Sequence, residues 1–446
     1  MTVLHPQSTG EDTTAELVAG VHRVVMERLG EWNRSHETRH GRPPTREETS
    51  AWGEHAIATA LGETERQRIA IGQAPLDVTT ADRIVDQVRS RLFGHGPLDE
   101  LLADPTVENI VANGHNNVTI TRAGGRREPG PPLADSDAEL EQLIRRIAAT
   151  SGMTERRFDD AQPHVDIRLP DGSRLHAIKT VTSRVTVSVR KHRYLNVTLD
   201  HLVDLGTLDR ELAHTLSAAI RGPLPCSMVI AGGTDTGKTT FARALISEIP
   251  VDERLVVIED NAELGLERDP ARNPHVVEME VRQPNMEGAG GIGMEVLGRQ
   301  ALRMRPDRLI VGECRSGHEV RTMLDALNSG HEGSLTTIHA DSSLAALTKL
   351  QTYALTGDNG LSMEASAHLT SLVLHLVVHL RKLPDGRRVV SSVREVVGAQ
   401  GDTLQSNEVW APDSTSIGRP TATGFSRRLV ERLTAAGWRP GTGALA

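Results

Sequence analysis

One stretch of nine residues constrains this chain more than any other. Gly232-Gly-Thr-Asp-Thr-Gly-Lys238-Thr239-Thr240 fits the pattern G-x-x-x-x-G-K-[ST]. It follows the apolar run Met228 to Ala231 and opens a stretch of helical character, Thr239 to Glu248. A strand that feeds a glycine-rich loop into a helix N-terminus turns backbone N–H groups inward around an anion, and the helix dipole favours the same charge. Gly232, Gly233, Thr234, Asp235, Thr236, Gly237, Lys238, Thr239 and Thr240 are therefore the candidate nucleotide-binding residues. Lys238 would bridge the β- and γ-phosphates of ATP, and the Thr239 hydroxyl would go to Mg²⁺. Asp235 is awkward. Its carboxylate does little harm if it points to solvent, but weakens nucleotide binding if it faces the phosphates.

The succession around this loop is that of an α/β sheet. Strand-like runs at Arg254 to Glu259, Arg308 to Gly312 and Leu335 to Ile338 alternate with helical patterns at Met294 to Met304 and Val320 to Asn328. Two of the strands end in acids, Leu255-Val-Val-Ile-Glu259-Asp260 and Arg308-Leu-Ile-Val-Gly-Glu313, and a third ends in His339. Open α/β sheets place their ligands at such strand ends. A bound triphosphate needs a carboxylate on the metal side and a group that orients the attacking water. Glu259 and Glu313 are the candidates, with Glu313 also a candidate metal ligand beside Thr239.

At 446 residues the chain is long enough for about three units. Residues 1–80 carry an amphipathic stripe (Leu17, Val18, Val21, Val24, Val25, Leu29, Trp32) and a second helical stretch from Ala51 to Leu61, separated by the polar segment Arg34 to Glu48. They read as a helical appendage with linker. Residues 81–196 mix helices (Ile84 to Leu92, Ala138 to Ala149) with short strands and a hairpin over Val165 to Ile178 turning at Pro170-Asp171-Gly172, the pattern of an α+β domain. Residues 197–400 hold the P-loop sheet, and 401–446 read as a tail that is mostly loop, with one helix at Arg427 to Ala436. A second Leu-Pro-Asp-Gly turn occurs at Leu383 to Gly386.

Composition narrows the function classes. The net charge of −9 does not give the global positive field of a nucleic-acid coat, and the run Arg190-Lys-His-Arg193, with only Tyr194 beside it, gives nucleic-acid binding no direct support. Two cysteines, Cys226 and Cys314, build neither a disulfide framework nor a C-x-x-C metal site, so a reducing compartment is expected and Cys314 reads as a buried, inert thiol. The most apolar stretch, Leu372 to Leu380, is too short to span a bilayer, and no signal peptide is evident. A cytoplasmic protein is expected, peripheral to the membrane if it meets one.

Taken together, the P-loop, Val257-Ile-Glu-Asp-Asn-Ala-Glu-Leu264, Ala301 to Glu313 and Gly330-His-Glu-Gly-Ser-Leu-Thr-Thr-Ile-His-Ala340 resemble the secretion ATPases of type II and type IV systems, most closely the CpaF-like ATPases of tight-adherence (Flp) pilus assembly. Gly94-His-Gly-Pro-Leu-Asp-Glu-Leu-Leu, Val107 to Gly114 and Leu169 to Arg174 resemble the family's N-terminal domain, so the likeness covers roughly Ile84 to Val397. It implies a RecA-like P-loop ATPase core behind a smaller α+β domain, worked as a homohexamer with ATP in the cleft between the two. By the same resemblance His339 would read the γ-phosphate, Glu259 would orient or deprotonate the water, and Arg174 and Arg190 would reach the phosphates. The implied partners are inner-membrane platform proteins of a pilus or secretion system. A conjugative DNA or protein transfer ATPase uses the same residues, and a nucleotide-binding scaffold with little hydrolysis is the reading that Asp235 motivates.

Overall fold

Apolar residues at three- and four-residue steps give α1 (Gly10–His40), α2 (Arg46–Ala70) and α3 (Val78–Phe93). The described residues are 10–122, 125–150, 157–191, 197–282, 290–356 and 360–439 of a computed structural model. The chain divides into two units, Met1–Arg193 and Tyr194–Ala446. The polar residues from Arg34 to His40 continue α1 rather than leaving it, and the break comes only before Thr45, whose side chain caps α2 in a reciprocal box with Glu48. Val18, Val21 and Val25 of α1 meet Ile57 and Ala60 of α2 and Ile84, Val88 and Leu92 of α3 in one core, with Trp32 stacked on Trp52 at 5.2 Å. Helix α3 begins where an α+β domain was expected, yet its buried face closes this bundle, so the helical unit runs on to Phe93.

The rest of the first unit is α4 (Leu98–Ala103), β1 (Val107–Asn113), β2 (Val118–Arg122), β3 (Arg127–Pro129), α5 (Asp137–Thr150), β4 (His164–Arg168), β5 (Arg174–Ile178) and β6 (Thr186–Arg190). The strands form one antiparallel sheet in the order β3-β2-β1-β6-β5-β4, and the Pro170-Asp171-Gly172 turn joins β4 to β5 as expected. Alternate residues such as Ile110, Val165, Leu175 and Val187 face α5 through Ile144 and Ile147.

The second unit contains α6 (Leu199–Asp204), α7 (Arg210–Arg221), β7 (Met228–Gly232), α8 (Lys238–Ile246), β8 (Leu255–Glu259), β9 (Val276–Glu280), α9 (Met294–Ala301), β10 (Arg308–Cys314), α10 (Gly317–Asn328), β11 (Leu335–Ile338), α11 (Ser343–Leu355), α12 (Met363–Val373), β12 (Leu376–Lys382), β13 (Arg388–Gln400), β14 (Thr403–Pro412), β15 (Gly418–Pro420) and α13 (Arg427–Ala435). Six strands run parallel in the order β12-β7-β11-β10-β8-β9, the arrangement of a RecA-like core, and β13, β14 and β15 extend it antiparallel. Strands β7 and β8 are buried at every position, which is why they read as continuous Val, Ile and Leu runs rather than alternating ones.

The tail expected to be mostly loop is instead β14, β15 and α13, up to Trp438. Its aromatic residues supply the reason: Trp410 packs on Phe425, Phe425 on Trp438, and the Trp438 indole N–H donates to Thr215 Oγ1 at 3.0 Å. Both tryptophans are buried in the same core as Leu216, Phe241 and Ile230. Trp438→Ala is expected to lower unfolding free energy by ~3–5 kcal/mol in urea titrations, the cost of removing a buried aromatic. A loose tail would give no change. Among the described residues no helix is long and apolar enough to cross a membrane.

Candidate functional site

Strand register brings the candidate residues to one edge. Ala231 lies opposite Ile338 on one side and His379 on the other, so Gly232 is flanked by His339 and Leu380, while Ile338 lies opposite Cys314. The chain then turns through Gly237, at φ 89°, into α8, whose first turn has no side-chain cap. The left-handed backbone there favours glycine, and the uncapped N–H groups are those that would meet an anion.

Lys238 is buried and its ammonium donates to the carbonyls of Gly232 at 3.0 Å and Gly233 at 2.8 Å. It lies 3.4 Å from His339 Nε2. That same nitrogen is 2.8 Å from Glu313 Oε1, at an angle that leaves this oxygen without a hydrogen bond. Burial, then the Lys238 charge, hold the His339 imidazole below its ordinary value, against the opposing pull of Glu313. Both neighbours meet the same ring nitrogen, so a neutral imidazole can accept there from Lys238 or donate there to Glu313, but not both at once.

The two acids diverge. The Glu313 side chain is partly exposed and meets Arg315, with Nε at 2.9 Å and NH2 at 2.7 Å from Oε2, while Arg315 NH1 reaches Asp260 at 3.2 Å. Glu259 is buried, and its carboxylate accepts the backbone N–H groups of Glu263 at 3.0 Å and Leu264 at 3.2 Å. Its stem lies so close over Gly312 that a Cβ there would stand 2.6 Å from Glu259 Cγ, which accounts for the glycine before Glu313. The geometry thus makes Glu259 a brace for the loop after β8. The acid that meets the phosphate-loop helix is Glu263, which accepts from Thr239 Oγ1 at 3.0 Å. Burial pushes the Glu259 carboxyl from 4.5 up to about 8 against its two backbone donors. A raised acid favours the folded state at low pH and loses that contribution as pH rises through the folded value. The melting temperature of wild type relative to Glu259→Gln should therefore fall between pH 5 and pH 9; a constant difference would mean the carboxylate is charged throughout.

Asp235, at φ 59°, turns its carboxylate away to two cations: Lys382 Nζ at 2.5 Å and Arg388 NH2 at 2.7 Å, with Arg388 Nε also donating to the Asp235 carbonyl at 3.0 Å. Burial raises its affinity for a proton, but the two cations outweigh burial and hold it below the ordinary carboxylate value. Thr236 Oγ1 donates to the Gly233 carbonyl, closing the loop on itself. Cys314 is buried against Thr336, and burial pushes its thiol up to about 12, the inert case.

In the other unit, Arg174 and Arg190 are directly opposite each other on β5 and β6. Two arginines from separate motifs thus share one end of one sheet. Of the basic run beyond them, residues 192–196, including Tyr194, lie outside the described residues. Four residues escaped the sequence reading: Glu263, Arg315, Lys382 and Arg388. The signals were present as an acid four residues after Glu259, an arginine two after Glu313, and basic pairs on either side of the Leu383 to Gly386 turn.

Among the described residues no three His, Cys, Asp or Glu side chains are arranged to hold a metal ion unaided. Mg²⁺ is commonly held by one or two protein oxygens together with substrate phosphates and water. The Thr239 hydroxyl and the Glu313 carboxylate are donors of that kind.

Comparison with known proteins supplies the family. Residues 92–428 match the family model described as type II/IV secretion system protein. A putative conjugal transfer protein of Mycobacterium tuberculosis is 33% identical over 334 residues, covering 73% of this chain and 91% of the relative. The conjugal transfer protein TrbB of Rhizobium radiobacter is 30% identical over 67% of this chain and 86% of its own length. A crystal structure of the VirB11 ATPase from the Brucella suis type IV secretion system is 28% identical, covering 69% of this chain and 95% of that one at a TM-score of 0.35. With three quarters of its residues inside the family model and a relative one third identical across most of both chains, the protein belongs to the type II/IV secretion system protein family.

Proposed function

We propose that this chain binds ATP with Mg²⁺ at the loop from Gly232 to Thr240 and hydrolyses it to drive a secretion machine from the cytoplasmic face of the membrane. The observation that carries this reading is the row Lys238, His339 and Glu313, each within 3.4 Å of the next, at the mouth of an uncapped helix. Lys238 would leave the carbonyls of Gly232 and Gly233 for the β- and γ-phosphates, Thr239 and Glu313 would hold the metal ion, and Glu313 would take the proton of the attacking water. His339 would report the γ-phosphate to Glu313. The metal's contribution, when bound, is to polarise the phosphoryl oxygens. Glu259 braces the loop in this scheme.

The working unit on this reading is a homohexamer in which the α+β domain supplies Arg174 and Arg190 to the phosphates. Such an arginine is worth ~10³–10⁵ in turnover, so Arg174→Ala/Arg190→Ala should lose most of that while still binding nucleotide. Native mass measurement with a non-hydrolysable ATP analogue tests the ring: six chains are expected, and a monomer at saturating analogue would refute it.

What the motor drives has two readings. The motif resemblance favours pilus assembly on an inner-membrane platform, and the −9 charge agrees with a protein partner. The names of the relatives, conjugal transfer proteins among them, favour a conjugative DNA or protein transfer ATPase. Deleting the chain should abolish surface pili in the first case and mating transfer in the second. The scaffold reading loses its motivation, because Asp235 is bound to Lys382 and Arg388.

A further inference from the structure

We infer that Lys382 and Arg388, from the hairpin of β12 and β13, belong to the phosphate site: they neutralise the carboxylate that this chain's own loop places there. The inference rests on the reading of Gly232 to Thr240 as a nucleotide site. Strand β12 runs parallel to β7 with Leu380 opposite Gly232, so the residues after Leu380 travel beside the loop. The Leu383 to Gly386 turn reverses the chain, and antiparallel pairing sets Arg388 opposite Lys382. Both side chains then close on one residue, 147 and 153 positions earlier.

Exposed ion pairs commonly contribute under ~1 kcal/mol, and a lone one would carry no functional weight. This one differs in three ways. Arg388 holds the backbone as well as the side chain of Asp235. Its Cδ would stand 3.2 Å from a Cβ on Gly237, so its stem lies along the loop. The residue it holds sits in the left-handed region, which aspartate and asparagine tolerate better than other non-glycine residues. The hairpin therefore sets both the charge and the shape of the loop. Without the two cations, an uncompensated anionic side chain would stand within three residues of Lys238, in the loop that would hold an anionic ligand. With them, the trio is net positive. Lys382 and Arg388 are positioning residues acting through Asp235.

Charge then orders the variants. Asp235→Asn keeps the backbone conformation and leaves both cations, so it should bind nucleotide more tightly than wild type. Lys382→Gln/Arg388→Gln leaves the carboxylate alone and should bind about tenfold more weakly, which is about 1.4 kcal/mol. Adding Asp235→Asn to that double variant should recover most of the loss. Single Arg388→Gln, which keeps Lys382 on Asp235, should fall between wild type and the double variant and carries the test if the double variant does not fold. The measurement is titration of a fluorescent ADP analogue with Mg²⁺ on the full chain at low and high salt, the spread narrowing as salt screens the charges. A triple variant as weak as the double, or an Arg388→Gln variant that binds as wild type does, overturns the inference. Failure of the nucleotide reading looks different: wild type itself would bind no better than Lys238→Ala.

Discussion

Glu313→Gln is expected to bind ATP as tightly as wild type and to hydrolyse it ~10²–10⁴-fold more slowly, the range for removing a positioned general base. The substitution keeps volume and removes only the charge and proton affinity of a side chain that is partly exposed at the edge of the sheet, 2.8 Å from His339. That carboxylate is held by Arg315, which also bridges to Asp260. On this account Arg315 releases Glu313 when substrate arrives, and a neutral amide is released more readily; its oxygen, Thr239 and the phosphates would still hold the metal ion, so affinity should change little. The same substitution at Glu259 tests the division of labour between the two acids. Glu259 spends its lone pairs on the backbone of Glu263 and Leu264, so Glu259→Gln, whose amide oxygen still accepts, should lose far less turnover than Glu313→Gln.

Lys238→Ala should lose both binding and turnover. The ammonium is buried and satisfied by two loop carbonyls, so it contributes to the shape of the loop and then, on this account, moves onto the phosphates. Truncating one member of a buried charged contact costs ~2–5 kcal/mol, or about 30-fold or more in affinity. Isothermal titration with ADP and Mg²⁺ reads the loss directly. A variant that binds within about threefold of wild type would place the phosphates elsewhere.

The part of this site legible in the sequence was the part written in short runs. The loop, the two strands ending in Glu259 and Glu313, and His339 each announce themselves within ten residues, because a buried parallel strand must be continuously apolar and its functional residue must come where the run stops. The chain fold of the P-loop sheet followed from the same runs. What stayed hidden depended on which strand lies beside which. Nothing near Asp235 says that β12 is its neighbour, so the fate of its carboxylate was open until the register placed Leu380 beside Gly232. Glu259 and Glu263 stand in one acidic run, and only the turn of the chain after β8 decides that the first braces the loop while the second meets Thr239. The tail misled for a compositional reason: its polar and glycine residues suggested loop, while its few aromatics bury in a core that takes in residues some two hundred positions earlier, as with Trp438 and Thr215. All four tryptophans, in fact, lie in the helical bundle or the tail; those of the tail pack with Phe241 on one face of the motif-bearing sheet, and the other face is packed with aliphatic residues.

Lys238, His339 and Glu313 are proposed to form one hydrolytic edge. Phosphate release from Mg²⁺-ATP by the purified full chain, set beside Lys238→Ala and Glu313→Gln under the same conditions, tests it most directly. Steady release by wild type and background release by both variants are expected. Release at equal rates from all three would contradict it.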